Sequence, residues 1–317
     1  MDHYLAVHPD IFMARKEMHF FGSDLHFGPQ FYRRDPAAFL AEFNAASDRR
    51  CAGEASVWYL FSERAAAEIK AFNPDARIII MLRNPVEMIH SLYYQFLFDG
   101  NEHLPTFAEA IAAEDDRRAG RRLGRQHYFA QGLAYHEIVR YTRQIERYFH
   151  AFGRDRVHVI IYDDFAADAD AVYQRALEFL GVTPLPIKNG AQVINGNKHV
   201  KNPVLRAILN DPSVRRTLLA VRPWLPQPVF TALSKAETRL RKLNTVPARR
   251  QAIDAELRRR LDEEFAPEVE RLSVLLGRDL TGWSRDARWH RDIETPAAVP
   301  EPAPSAEVYD GRMISAA

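Results

Sequence analysis

The sequence predicts an α/β fold in which a parallel sheet is flanked by helices, and three observations carry that prediction. Ile78 to Leu82 is a continuous apolar run, β-branched at its first three positions, which suits a strand covered on both faces. Val157 to Tyr162 repeats the type, and the stretches around both runs show helical spacing closed by glycine. The third observation is the junction after the first run. There Asn84 can cap a helix, Pro85 can fill the first helical position at no loss, and Glu87 stands where it can close a capping box.

In chain order, His8-Pro9 ends a helix already under way at Met1, because proline disfavours helix in the residue before it. A helix is predicted from Asp35 to about Ser47, a short strand within Gly53 to Leu60, and a helix from Ser62 to Phe72 capped by Ser62. The helix after Asn84 runs to Gly100, which supplies a C-cap. Thr106 to Glu114 is predicted helical, and Arg117 to Arg125 is an arginine-rich loop broken by Gly120 and Gly124. Apolar and aromatic residues at helical spacing predict one long helix from Leu133 to Phe152, stopped by Gly153. Asp170 to Leu180 is a further helix, stopped by Gly181.

Beyond Lys188 the periodicity weakens, with prolines at 203, 212, 223, 226 and 228. From Lys198 to Arg250 twelve lysines and arginines face two acidic residues, Asp211 and Glu237. Residues 188–250 therefore read as a basic, variable region or lid, with Lys198 and Lys201 as candidate anion ligands. A closing helix is predicted from Gln251 to Leu276, and Trp283 is the last residue placed in the fold. The domain organisation expected is one domain over 1–283 and a disordered, proline-rich tail over 284–317.

Composition narrows the function classes. The 317 residues carry 43 basic and 42 acidic side chains, a net charge of +1, which argues against a general nucleic-acid binder. No apolar run reaches the length of a membrane span and no signal peptide is evident, so a cytoplasmic location is expected. Cys51 is the single cysteine, which excludes an internal disulfide and the usual thiolate zinc sites. The site-bearing stretch is the strand-to-helix junction. Arg83 falls at the carboxyl end of the strand and Ser91 about two turns into the helix, an arrangement suited to an anion.

These residues resemble a known family. Leu82-Arg83-Asn84-Pro85-Val86-Glu87 with Ser91 is similar to the 3′-phosphate motif, LRNPVERAYS, of sulfotransferases that use 3′-phosphoadenosine 5′-phosphosulfate. Gly100-Asn101-Glu102, Phe152-Gly153, Tyr162, Phe179-Leu180-Gly181 and Trp283 follow in the family's order. The resemblance implies a P-loop-kinase-like sulfotransferase fold, with three layers, in which Arg83 and Ser91 hold the donor's 3′-phosphate. Lys16-Glu17-Met18-His19-Phe20-Phe21 resembles the KE-hFF segment of the branch that includes heparan sulfate-type and bacterial enzymes. It implies Glu17 as general base and His19 as an assisting residue. The co-substrate implied is 3′-phosphoadenosine 5′-phosphosulfate, no metal is needed, and the acceptor implied is a hydroxyl or amine on a carbohydrate or small metabolite.

Two departures accompany the resemblance. The family's opening strand and 5′-phosphosulfate loop, roughly KxGTTxL, would precede the helix in which this numbering begins, so an N-terminally truncated chain with an internal Met1 is expected. Ala55 stands in Glu54-Ala55-Ser56 where many relatives have lysine. Two alternatives stay open at this point: a catalytically inactive protein that binds nucleotide or a partner, and a nucleotide kinase. The latter also needs a phosphate loop.

Overall fold

Ile78–Leu82 forms the strand its sequence predicts, β3, and pairs in parallel with β4, Val157–Ile161, in the register Ile78↔Val157 through Leu82↔Ile161. The computed structural model describes residues 1–28, 34–125, 127–187, 198–202, 226–247 and 250–284, together with 205, 206, 209, 211, 217 and 224. They fall into two units, Met1–Gly196 with Ala252–Thr281 and Asn197–Gln251 with Gly282–Ala317. The expected tail lies, from residue 285 onward, outside the described residues.

In the first unit, α1 (Asp2–Ala6) leads into β1 (Ile11–Met13), which pairs in parallel with β2 (Cys51–Gly53). The described strands of this unit thus form two parallel pairs rather than one continuous sheet. Both pairs pack on one cluster, in which Tyr4, Leu5, Ile11, Tyr173, Leu177 and Val182 are buried and Met13, Cys51 and Ile79 lie against them. Parallel strands of this kind need cover on their faces. That cover comes from α1, from α9 (Tyr162–Ala167) and from α10 (Ala169–Leu180).

The strand expected within Gly53 to Leu60 lies earlier and is shorter. The apolar residues Trp58 and Tyr59 instead enter a 3₁₀ turn, Val57–Tyr59, and both are buried. Trp58 packs edge-on against Phe129 at 4.5 Å, and Tyr59 meets Phe21 at 5.7 Å. Aromatic packing here overrides strand propensity. The Asp35 helix is real but short. Asp35 caps α2 (Pro36–Ala41), and a 3₁₀ turn, Asn44–Ala46, follows it. Ser62 stands three residues before α3 (Ala65–Phe72), and its Oγ accepts from Ala65 N at 2.9 Å.

α4 (Pro85–Asp99) is the central helix. It buries Val86, Ile89, Leu92, Tyr93 and Phe96, and it ends at Gly100, whose φ of 93° is open only to residues tolerant of the left-handed region. Ile89 is wholly buried, worth about 2 kcal/mol over an exposed isoleucine. α5 (Phe107–Ala112) starts in a complete capping box between Thr106 and Glu109. α6 (Glu114–Arg118) follows it directly.

The long helix expected from Leu133 to Phe152 is broken into α7 (Tyr135–Ile138) and α8 (Tyr141–Phe152). Two side chains, one on α8 itself and one from elsewhere, make the break stable. Gln144 donates to the carbonyls of Glu137 and Ile138, and Glu268 accepts from Thr142 N at 2.7 Å. Glu268 belongs to α12 (Ala255–Leu276), which Asp254 caps and which begins four residues later than predicted.

In the second unit, β5 (Lys198–Val200) pairs antiparallel with β6 (Thr245–Pro247), and α11 (Gln227–Leu243) leads into β6. Buried Asn244 ties the turn, its Oδ1 accepting from Asn202 N at 2.8 Å and its Nδ2 donating to Asn202 O at 3.0 Å. Residues 188–197 and much of the basic stretch lie outside the described residues. No helix among the described residues is long and apolar enough to cross a membrane.

Candidate active site

The segments that follow the four parallel strands carry Arg83, Glu17 and His19 among the candidate residues. Because Leu82 of β3 is in register with Ile161 of β4, the residues that follow, Arg83 and Tyr162, are neighbours. The Arg83 guanidinium lies 5.0 Å from the centre of the Tyr162 ring, a cation–π arrangement. The same guanidinium is 3.5 Å from Glu87, one turn into α4. Ser91 is one further turn along the same helical face as Glu87, and it is half-buried. The structure therefore gathers Arg83, Glu87 and Tyr162 at one strand end, on the α4 face that bears Ser91.

The start of α4 is capped as the sequence predicts. Asn84 Oδ1 accepts from Val86 N at 2.9 Å and Glu87 N at 3.3 Å. Those two amides are thereby engaged, which leaves the side chains and the helix dipole as the features at this helix start that could meet a charge. Glu87 differs from its expected part in a capping box. Its carboxylate is held by Arg258 of α12, at 2.6 Å, and by Arg83. Burial pushes the Tyr141 phenol well above the usual range, although the positive charge of Arg83 acts the other way. Tyr141 and Arg258 were invisible to sequence reasoning, since each arrives from a distant part of the chain.

The second group of residues follows β1 and β2. Met13 is in register with Gly53, which brings the segments after them together. His19 N donates to Ser56 Oγ at 2.9 Å, and Ser56 Oγ donates to Glu54 at 2.9 Å. Glu17 accepts from Val57 N at 3.3 Å, and His19 Nε2 stands 3.1 Å from the same carboxylate. Glu17 and His19 are thus a contacting pair, with side-chain exposures of 25% and 15%. The His19 ring stacks on Phe27 at 4.6 Å, and Phe27 on Phe129 at 4.4 Å. Sequence reasoning noted Glu54 and Ser56 only as a departure from a motif. Here they brace the Glu17 segment, and burial raises the Glu54 carboxyl above the usual carboxylate range.

The turn after this segment is fixed from α3. Glu68 accepts from Gly22 N at 2.7 Å and Ser23 N at 3.1 Å. Gly22 has φ of 81°, and a Cβ there would meet Leu25 Cδ1 at 2.9 Å.

Lys198 and Lys201 belong to the second unit. Lys198 opens β5, and Lys201 is exposed, its N–H donating to Asn244 O at 2.9 Å. A cleft of ≈ 250 Å³ lined by Phe149, Arg154, Val157, Val159, Ile161 and Arg278 holds none of the candidate residues. Both of its arginines are engaged, Arg278 by Asp164 and Arg154 by the Leu275 carbonyl.

Residues 37–186 match the model of the sulfotransferase family. The chain is also similar to a solved sulfotransferase structure from Alicyclobacillus acidocaldarius, with 30% identity and a TM-score of 0.61. That similarity covers 89% of this chain and 92% of the other. The family match spans β2, β3, α4 and β4, and so contains Arg83 and Ser91. Identity at this level over nearly the whole of both chains goes beyond a shared fold, and the chain belongs to the sulfotransferase family.

Proposed function

We propose that this chain transfers a sulfuryl group from 3′-phosphoadenosine 5′-phosphosulfate to a hydroxyl or amine on a carbohydrate or small metabolite. The observation that carries this reading is Arg83, set at the end of β3 over the Tyr162 ring and beside the Ser91-bearing face of α4. Arg83 and Ser91 fit a phosphate, since a guanidinium supplies paired donors and a hydroxyl one more. In this reading they hold the donor's 3′-phosphate.

Glu17 takes the acceptor's proton as the acceptor oxygen or nitrogen bonds to sulfur. The bond from sulfur to the oxygen of the 5′-phosphate breaks in the same step, and the bisphosphate leaves. His19, 3.1 Å from Glu17, fixes the carboxylate and shares the proton. Catalysis is then positioning plus charge stabilisation, as in phosphoryl transfer.

The test separates the two parts. By calorimetry, Arg83→Ala should weaken adenosine 3′,5′-bisphosphate binding far more than adenosine 5′-monophosphate binding; an equal loss for both removes the 3′-phosphate assignment. Glu17→Gln should keep nucleotide binding and lose turnover. Retained turnover moves the base elsewhere, and nucleotide binding without turnover by the unaltered chain makes it a binding protein.

A further inference from the structure

Arg258 lies 171 residues from Glu87 in sequence, yet its side chain is 10% exposed and its Nη1 donates to Glu87 Oε1 at 2.6 Å. Its Nε donates to Asp262 at 2.8 Å, one turn along α12. The other Glu87 oxygen is 3.5 Å from Arg83, and Arg83 sits over Tyr162. Asp262, Arg258, Glu87 and Arg83 thus alternate in charge along a line that ends at the candidate phosphate ligand.

The two contacts of Glu87 are unequal. At 2.6 Å the bond to Arg258 is short and charge-assisted, whereas 3.5 Å to Arg83 is at the outer limit of hydrogen bonding. Glu87 therefore spends most of its interaction on Arg258. It orients Arg83 without using up its donors, which leaves the guanidinium able to take an incoming dianion. Without Arg258, Glu87 would be a largely buried carboxylate, its side chain 12% exposed, with Arg83 as the cation in reach. A carboxylate in that setting must find a partner. It would close on Arg83 and compete with phosphate.

We propose that Arg258 is a positioning residue of the nucleotide site, keeping Arg83 available by holding Glu87. The proposal rests on the reading of Arg83 as the 3′-phosphate ligand. A scaffold role for Arg258 predicts a different result in one respect. Removing Glu87 would abolish the effect of a relay and leave the effect of a scaffold.

The experiment is calorimetry of the whole chain with adenosine 3′,5′-bisphosphate and adenosine 5′-monophosphate, on Arg258→Gln, Arg258→Lys, Glu87→Gln, the double variant and Arg83→Ala. Arg258→Gln should weaken the bisphosphate roughly tenfold while the monophosphate stays within about twofold. Arg258→Lys should restore part of the loss. In the Glu87→Gln background, Arg258→Gln should cost nothing further.

Equal loss for both nucleotides, or a loss that persists in the Glu87→Gln background, overturns the relay. If Arg258→Gln does not fold, Arg258→Lys alone decides: no change in the ratio of the two affinities overturns the proposal. Arg83→Ala distinguishes the levels. If it abolishes the preference for bisphosphate while Arg258 variants do not, the relay falls and the site reading stands. If it leaves that preference intact, the site reading falls as well.

Discussion

Arg83 and Tyr162 touch because each follows the last paired residue of its strand, Leu82 on β3 and Ile161 on β4. A cation over an aromatic face is worth about 0.5–2 kcal/mol, depending on how dry the site is. Tyr162 is 37% exposed, so the lower half of that range applies. Tyr162→Ala should weaken adenosine 3′,5′-bisphosphate binding by roughly threefold, and Tyr162→Phe should not, since it keeps the ring. Calorimetric titration of the two variants checks this. Equal effects would show that the hydroxyl, not the ring, matters.

A pH dependence is built in at His136. Its Nδ1 is 2.8 Å from Glu114 and its Nε2 3.0 Å from Glu264, so one imidazole joins α6 to α12. The bond to Glu114 raises its pKa above the ordinary 6.5, with Glu264 adding to it and burial opposing. Arg118 near Glu114 and Arg260 near Glu264 face the same carboxylates and moderate the effect. A raised value means the stabilisation is fully present below pH 6.5 and is lost as pH rises through the folded-state value. Melting temperature should therefore fall from pH 6 to pH 8, and His136→Gln should flatten that slope. An unchanged slope in the variant would refute the assignment.

Glu54 should behave in the opposite sense to a salt-bridged carboxylate. Burial raises its pKa above 4.5, so the native state is disfavoured as pH rises through the folded-state value and the cost persists at neutral pH. Glu54→Gln keeps the shape and the bond from Ser56 and removes the charge. It should raise the melting temperature at pH 7, with the gain vanishing near pH 4. A lower melting temperature at pH 7 would mean that Glu54 is stabilised as an anion.

Gly22 closes the candidate base segment against α3. Gly22→Ala combines a left-handed backbone with a methyl group 2.9 Å from Leu25, and should cost about 1–3 kcal/mol. Chemical denaturation measures that cost. Gly277→Ala, with φ of 63° and ψ of 33° in the ordinary left-handed region and nothing within 4 Å of the added methyl, should cost less.

What was legible in the sequence followed local rules. The run Ile78 to Leu82, the Asn84 cap, Pro85 and the Gly100 stop lie within a few residues of one another and depend on short-range chemistry, and all are found. The Glu17–His19 pairing was legible only through a motif, because its geometry is set by Ser56 and Val57 some forty residues later. The break between α7 and α8 was not legible. Gln144 and Glu268 satisfy backbone groups there that a continuous helix would have bonded internally. β1 escaped notice, and β2 was expected later in the chain than Cys51–Gly53, for a simpler reason. Three residues are too few to show a period of two. Arg258 carries no local signal at all, and only the packing of α12 on α4 reveals it.

The cap on α4 has an evolutionary side. Asn84 engages the first amides of the helix, so in the proposed reading the anion preference of this strand end rests on Arg83, Glu87, Ser91 and Arg258 rather than on the main chain. A cradle of backbone amides outlasts any change of side chain. In that reading a cradle built from side chains can be retuned by single substitutions at Arg83, Ser91 or Arg258 on an unchanged strand and helix, so descendants of the chain could keep the architecture and exchange the anion.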